Sequence, residues 1–303
     1  MQSNLKTMPP SHPDFFILDV FSQQRYAGNQ LAVFTPNRTY SDAEMQELAR
    51  EMHFSETTFI LSSEEREGGF DVRIFTPEEE LPFAGHPTLG TAFVLRKHFL
   101  HNSTSEVKLN LGVGQIPVRW EKTDRGLLPF MTQIAPTFLD EIDRMNLSDV
   151  LHVDVGEFHD SHKAQIISTG MGFCIAPLRD LSSVRSSLLD LKAVAEFNER
   201  NDTKGILLFS PVAQESGNHI HARVFIGMQT IPEDPATGSA CGCLAAYLSR
   251  TKFFGTDLVD VRVEQGYELL RPSILHVRSR AVGDSVEVRV GGNVIQIAEG
   301  TLS

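Results

Sequence analysis

Four side chains in this sequence are of types that can move a proton or hold an anion: Glu56, His86, Asp234 and Ser239. Glu56 lies within Phe54-Ser-Glu-Thr-Thr-Phe-Ile-Leu61, whose apolar and β-branched residues read as a strand. Alternation along that strand puts Glu56 on the side of Phe54 and Thr58, with Ser55, Thr57 and Phe59 opposite, and neither side is plainly wet. Two readings stay open: an edge-strand charge facing water, or a carboxyl held in a cleft. In a cleft, with Phe54 and Phe59 nearby, desolvation would raise its pKa toward working pH and suit it to general acid–base chemistry.

His86 and Asp234 each precede a proline and an apolar segment. In Ile231-Pro-Glu-Asp-Pro-Ala-Thr-Gly-Ser-Ala-Cys-Gly-Cys-Leu-Ala-Ala-Tyr247, Asp234 is placed to cap a helix and Pro235 to set its first turn. A helix apolar on every side must be buried, so its first N–H groups need a polar partner, and Gly238 and Ser239 leave room for an anion to approach. Phe83-Ala-Gly-His-Pro-Thr-Leu-Gly-Thr-Ala-Phe-Val-Leu95 repeats the arrangement. Each copy follows a strand-like piece, Val72-Arg73-Ile74-Phe75 or Ala222-Arg223-Val224-Phe225, so the chain reads as duplicated. The register of the repeat stays open between Gly90 and Gly85 opposite Gly238, or Gly85 opposite Ala236. Ser239 reads as a donor to a bound carboxylate, because no Gly-x-Ser-x-Gly surrounds it.

These groups need a scaffold, and the rest of the sequence outlines one. Phe15 to Phe21 and Leu31 to Phe34 read as a hairpin around Tyr26-Ala-Gly-Asn29, where Asn29 serves the turn or reaches a ligand. Ser41 to Glu44 is a capping box opening a surface helix, and Glu78 to Glu80 reads as solvated surface. Val107 to Trp120 is a hairpin, Asp140 to Val150 and Leu181 to Arg200 read as helices, and 205–210, 259–264, 273–279, 285–290 and 293–298 as short strands.

The chain has 303 residues and a formal net charge of −12, which opposes a nucleic-acid or anionic-membrane surface and favours a small-molecule partner. No apolar run nears the roughly 20 residues that span a bilayer, and Met1 to Pro13 lacks a signal-type apolar region, so a cytoplasmic location is expected. Three cysteines, an odd number in a long chain, argue against a disulfide framework, and Cys241-Gly-Cys243 inside an apolar helix reads as small buried residues rather than a metal site. His152, His159, His162, His219 and His221 read as surface histidines without zinc-enzyme spacing. No phosphate-cradling glycine loop is present, so no nucleotide cofactor is inferred.

Phe54-Ser-Glu-Thr-Thr-Phe59, Pro82-Phe-Ala-Gly-His-Pro-Thr88 and Glu233-Asp-Pro-Ala-Thr-Gly-Ser-Ala240, with Asp19-Val-Phe ahead of Gly28-Asn29, together resemble the PhzF phenazine-biosynthesis family. Gln30 stands where many of its members carry proline. The resemblance implies an α+β fold of the diaminopimelate-epimerase type: two pseudo-symmetric barrel-like lobes, each a mostly antiparallel sheet wrapped around a central helix. Residues 1–127, completed by a last strand in 288–303, would form one lobe and 128–287 the other. It implies a homodimer and an isomerase that moves a proton between carbons of a small cyclic or unsaturated carboxylate, of the trans-2,3-dihydro-3-hydroxyanthranilate type, with no metal or organic cofactor. Glu56 would be the acid/base, His86 and Asp234 catalytic partners, and Asn29, Gly85, Gly238 and Ser239 substrate-binding. A two-thiol racemase is disfavoured, since the three cysteines lie away from the helix starts. The alternatives are a non-catalytic binding protein of this fold and an epimerase.

Overall fold

The computed structural model describes residues 12–303, so most of the polar amino-terminal stretch read for targeting signals lies outside the described residues. β1 (Phe15–Val20) and β2 (Asn29–Phe34) form the expected antiparallel hairpin. Ser41 and Glu44 close the capping box of α1 (Asp42–Met52), which crosses over to β3 (Glu56–Ile60), parallel to β2. β4 (Phe70–Phe75) runs antiparallel to β3, and the short β5 (Glu80–Leu81) folds back on it. The buried α2 (Gly85–Val94) then leads to β6 (Glu106–Leu111), β7 (Gly114–Thr123) and β8 (Gly126–Thr132).

The second half follows the same plan. β9 (Thr137–Ile142) and α3 (Arg144–Leu151) precede the hairpin of β10 (Ala164–Ser168) and β11 (Gly172–Pro177). α4 (Leu181–Ser186) and α5 (Leu191–Asn201) cross to β12 (Ile206–Ser210), parallel to β11, with β13 (Ile220–Phe225) antiparallel beside it. The buried α6 (Gly238–Arg250) leads to β14 (Val259–Gln265), β15 (Ser273–Val282), β16 (Ser285–Gly291) and β17 (Val294–Gly300).

Pairing makes the duplication explicit. In each half a parallel step follows the crossover helix and another follows the central helix: β2 with β3 and β4 with β6, then β11 with β12 and β13 with β14. β9, which follows the first half, pairs with β10 of the second, while β17, which follows the second, pairs with β1 of the first. β8 and β16 join the two sheets. The protein is an α+β molecule of two pseudo-symmetric lobes. Each mostly antiparallel sheet wraps a helix with no wet face: every residue from Gly238 to Ser249 of α6 is buried, and all of α2 except Phe93.

Three local expectations need correction. Asp234 does not cap α6: Thr237 occupies the N-cap position, Pro235 lies in the preceding loop, and the helix begins at Gly238. α2 begins at Gly85, so the helix starts set Gly85 opposite Gly238 and His86 opposite Ser239. The helix read across Asp140 to Val150 is a strand through Ile142 and a helix from Arg144, because Asp143 bonds the Met145 N–H at 2.8 Å and starts the helix there. The helix read across Leu181 to Arg200 is two, with Asp190 capping the second through Ala193 N–H at 3.0 Å.

Candidate active site

The two central helices start against one another. A Cβ built on Gly85 would lie 2.6 Å from the Gly238 Cα, so only glycine lets the two backbones approach this closely. Behind this contact the Gln133 amide donates to the Gly238 carbonyl at 2.9 Å and accepts from the Thr169 hydroxyl at 2.6 Å. Neither helix start is capped by a side chain, whereas α1, α3, α4 and α5 all are. Two buried helix ends thus present N–H groups and positive dipole ends to one place.

β3 delivers Glu56 to that place. Thr58, on the same face, shares a 2.8 Å hydrogen bond with Thr91 of α2, so the face carrying Glu56 looks onto the central helix. The expected aromatic neighbours do not surround the carboxyl: Phe59 packs with Phe34, Tyr40 and Phe75 beneath α1, and Phe54 sits against that same cluster. Glu56 is desolvated by its depth in the cleft instead. Its Oε2 is buried without a hydrogen-bond partner and faces the equally unpartnered Nε2 of His86 at 3.4 Å. The Glu56 side chain is 14% exposed, toward the cleft.

Asp234 is held differently. Its Oδ1 accepts from the Asn29 amide and the Ser55 hydroxyl, both at 2.9 Å, and its Oδ2 from the Thr237 hydroxyl at 2.6 Å. Gln265, at the end of β14, donates to the Asp234 carbonyl at 2.8 Å and to the Thr237 hydroxyl at 3.0 Å. It also accepts the Thr237 N–H at 3.0 Å. Asn29 lies one layer behind the open cleft, its amide nitrogen engaged by His86, Asp234 and the Ala236 carbonyl.

These surroundings separate the titrations. Burial pushes the Glu56 carboxyl well above the ordinary carboxylate range, and the nearby Asp234 charge adds to the rise. Burial raises Asp234 too, opposed by the hydroxyls of Thr237 and Ser55 and the Asn29 amide. Burial lowers His86 to about 3, so its imidazole is neutral, against a weaker opposing hydrogen bond with the Gln30 backbone. Cys241 and Cys243 are buried within α6, and burial pushes both thiols up, Cys243 to about 11, away from thiolate chemistry.

The cleft above these groups has a volume of about 490 Å³ and includes Ser55, Glu56, Asp234, Thr237 and Ser239 in its lining. Its upper walls are largely apolar, with Leu81, Met171, Phe173, Ile226, Met228 and Ile231. At the rim Lys204 pairs with Glu79 at 2.9 Å and Thr230 donates to Glu78 at 2.7 Å. The acidic run 78–80 is exposed as expected, yet its first two members tie the two halves together at the cleft rim.

Sequence reasoning brought Glu56, His86, Asp234, Gly85, Gly238, Ser239 and Asn29 into consideration, and the structure gathers all seven around the helix starts. It missed Ser55 and Thr237, which lie inside the quoted motifs and have oxygens close enough to hold Asp234. Gln265 carried no local signal, since only the fold brings β14 to this loop. The surface reading also fails for His221, which is buried between Glu264 and Glu268 at 3.0 Å from each.

A family model described as phenazine biosynthesis-like protein, PhzC-PhzF, matches residues 18–300. The chain belongs to this family. It is 30% identical to the trans-2,3-dihydro-3-hydroxyanthranilate isomerase of Pseudomonas aeruginosa, across 94% of this chain and 98% of that one. A predicted epimerase from the same organism is 29% identical, with a TM-score of 0.78 and coverage of 96% and 99%. A PhzF-family protein of Bacillus anthracis shares the fold with a TM-score of 0.85 at 23% identity, covering 95% and 97%. Further relatives carry the name of isomerase, and this PhzF-family chain is an isomerase.

Proposed function

We propose that this PhzF-family isomerase moves a proton between two carbons of a small cyclic or unsaturated carboxylate, of the trans-2,3-dihydro-3-hydroxyanthranilate type. Glu56 is the acid/base. The observation that carries this reading is the pair of buried, unpartnered atoms, Glu56 Oε2 and His86 Nε2, 3.4 Å apart beside two uncapped helix starts. A buried polar atom without a partner costs stability, and a substrate polar group offsets that cost.

The substrate carboxylate lies against the N–H groups at Gly85, Gly238 and Ser239, where dipole and donors favour an anion. Ionised Glu56, a strong base because of its raised pKa, takes a proton from one carbon. The resulting acid returns the proton to another carbon within reach. Negative charge developing on the substrate in between is met by the neutral His86 ring and the helix-start N–H groups. Asp234, held by three donors, faces the substrate's amine or hydroxyl hydrogens. Glu56 accounts for roughly 10² to 10⁴ of the rate by acid–base chemistry, and positioning in the closed cleft supplies more.

The finer features belong to the same proposal. We take the protein to act in the cytoplasm as a homodimer, without an organic cofactor, metal or nucleic-acid partner, supported by the acidic surface and the missing nucleotide loops in the sequence. Among the described residues no helix is long and apolar enough to cross a membrane. The lobes are divided at residues 127 and 128, with 288–303 returning to the first.

Incubation with trans-2,3-dihydro-3-hydroxyanthranilate in D₂O tests the reading. Deuterium should enter one ring carbon as the double bond shifts, and Glu56→Gln should stop both. Exchange without a double-bond shift would make the protein an epimerase, and no exchange with retained binding would make it a binding protein.

A further inference from the structure

We infer that Asn29 is a positioning residue that fixes which nitrogen of His86 carries the proton, leaving it on Nε2, the nitrogen that lies 3.4 Å from Glu56 Oε2. The inference rests on the reading in which His86 works beside Glu56. The Asn29 amide nitrogen lies 2.9 Å from Asp234 Oδ1, 3.0 Å from the Ala236 carbonyl and 3.1 Å from His86 Nδ1. Two oxygen acceptors identify this end of the amide as NH₂, since its oxygen here would face a carboxylate and a carbonyl. Its two N–H bonds serve three acceptors, so one is shared.

An amide nitrogen has no lone pair to offer. A proton on His86 Nδ1 would therefore point at a donor, while a bare Nδ1 is stabilised as an acceptor. In a neutral ring a bare Nδ1 leaves the proton on Nε2. That nitrogen is buried with no partner in the resting structure, so its N–H is held ready for substrate. The Gln30 backbone competes by favouring a proton on the ring. Asn29 belongs to the first half of the chain and two of its acceptors, Asp234 and Ala236, to the second. The tautomer is thus set within the first half, by an amide whose orientation is fixed by two acceptors of the second.

Long-range ¹⁵N–¹H correlation spectra of the full chain, labelled in histidine nitrogen and compared with His86→Gln to assign the ring, read this directly. The expected spectrum has His86 Nδ1 at the position of a bare imidazole nitrogen and Nε2 at that of a protonated one. Asn29→Ala removes the donor, and with the Gln30 backbone left to favour a ring proton the preference for Nε2–H should be lost. A proton on Nδ1 in the unaltered protein, or an unchanged, fully populated Nε2–H in Asn29→Ala, would overturn the assignment. The first spectrum decides even if the variant does not fold. Neither spectrum depends on turnover, so an inactive protein with the expected tautomer counts against the isomerase mechanism and leaves this inference standing.

Discussion

The two halves of the chain build the same support and finish it to different depths. In the first, Arg73 of β4 makes a bidentate pair with Glu80, at 2.7 and 2.6 Å, clipping down the segment that leads to α2. In the second, Arg223 of β13 makes the same fork with Glu233, at 2.9 and 2.7 Å, before α6. Each arginine also stacks over the phenylalanine two residues on, at 5.0 and 4.8 Å. The first pair is open to water, at 25% and 43% side-chain exposure, and the second is sealed, at 9% and 7%. The chemical groups divide in parallel. The first half supplies Glu56 and His86, whose Oε2 and Nε2 are left without partners, and the second supplies Asp234, fully bonded. Duplication provided two equivalent helix starts, and divergence made one reactive and the other a rigid counterpart.

The largest effect should come from the reactive half. Glu56→Gln should lower kcat by about 10² to 10⁴-fold or more while ligand affinity stays within a few-fold, measured by steady-state kinetics and calorimetry. Retained turnover would remove the asymmetry of roles. On the rigid side, Glu233→Ala should cost about 3–5 kcal/mol in denaturant unfolding, since it strands a buried guanidinium. At the helix-start contact, Gly85→Ala forces a methyl into the Gly238 backbone and should cost about 1–3 kcal/mol, with weaker ligand binding. Glu80→Ala, at the exposed fork, should cost only about 0–1 kcal/mol. Similar losses at Glu80 and Glu233 would erase the distinction between the halves.

The smallest signal is in pH. The pKa of Glu56 is raised on folding, so the native state favours its protonated form, and stability is lost as pH climbs from the ordinary carboxylate range through the raised value. Glu56→Gln lacks this titration. Thermal unfolding should show the variant gaining on the parent protein as pH rises. A constant difference across pH would mean the carboxyl is solvated in the native state.

Most of the architecture was legible because it rests on local patterns: alternation for the strands, a capping box for α1, unbroken apolar runs for α2 and α6. The repeat was visible at Arg73 and Arg223, but its glutamates were not, since they lie 7 and 10 residues downstream and no fixed spacing points to them. The helix boundary near Asp234 was misread because an Asp-Pro step favours a first turn locally, while in the fold that carboxylate is held by Asn29, Ser55 and Thr237. Packing of distant segments decided the environment of Glu56 as well. Its strand neighbours Phe54 and Phe59 turn to the far side, and its depth in the cleft comes from α2 and the second half.

Since β17 lies against β1, the strand that seals the first half's sheet is made only after the whole of the second half. The first half must wait, one ladder short, through synthesis of the whole second half. A chain cut before Val294 would leave Phe15 to Val20 paired on one edge only, with β2, so damage done beyond the second half would be felt in the first.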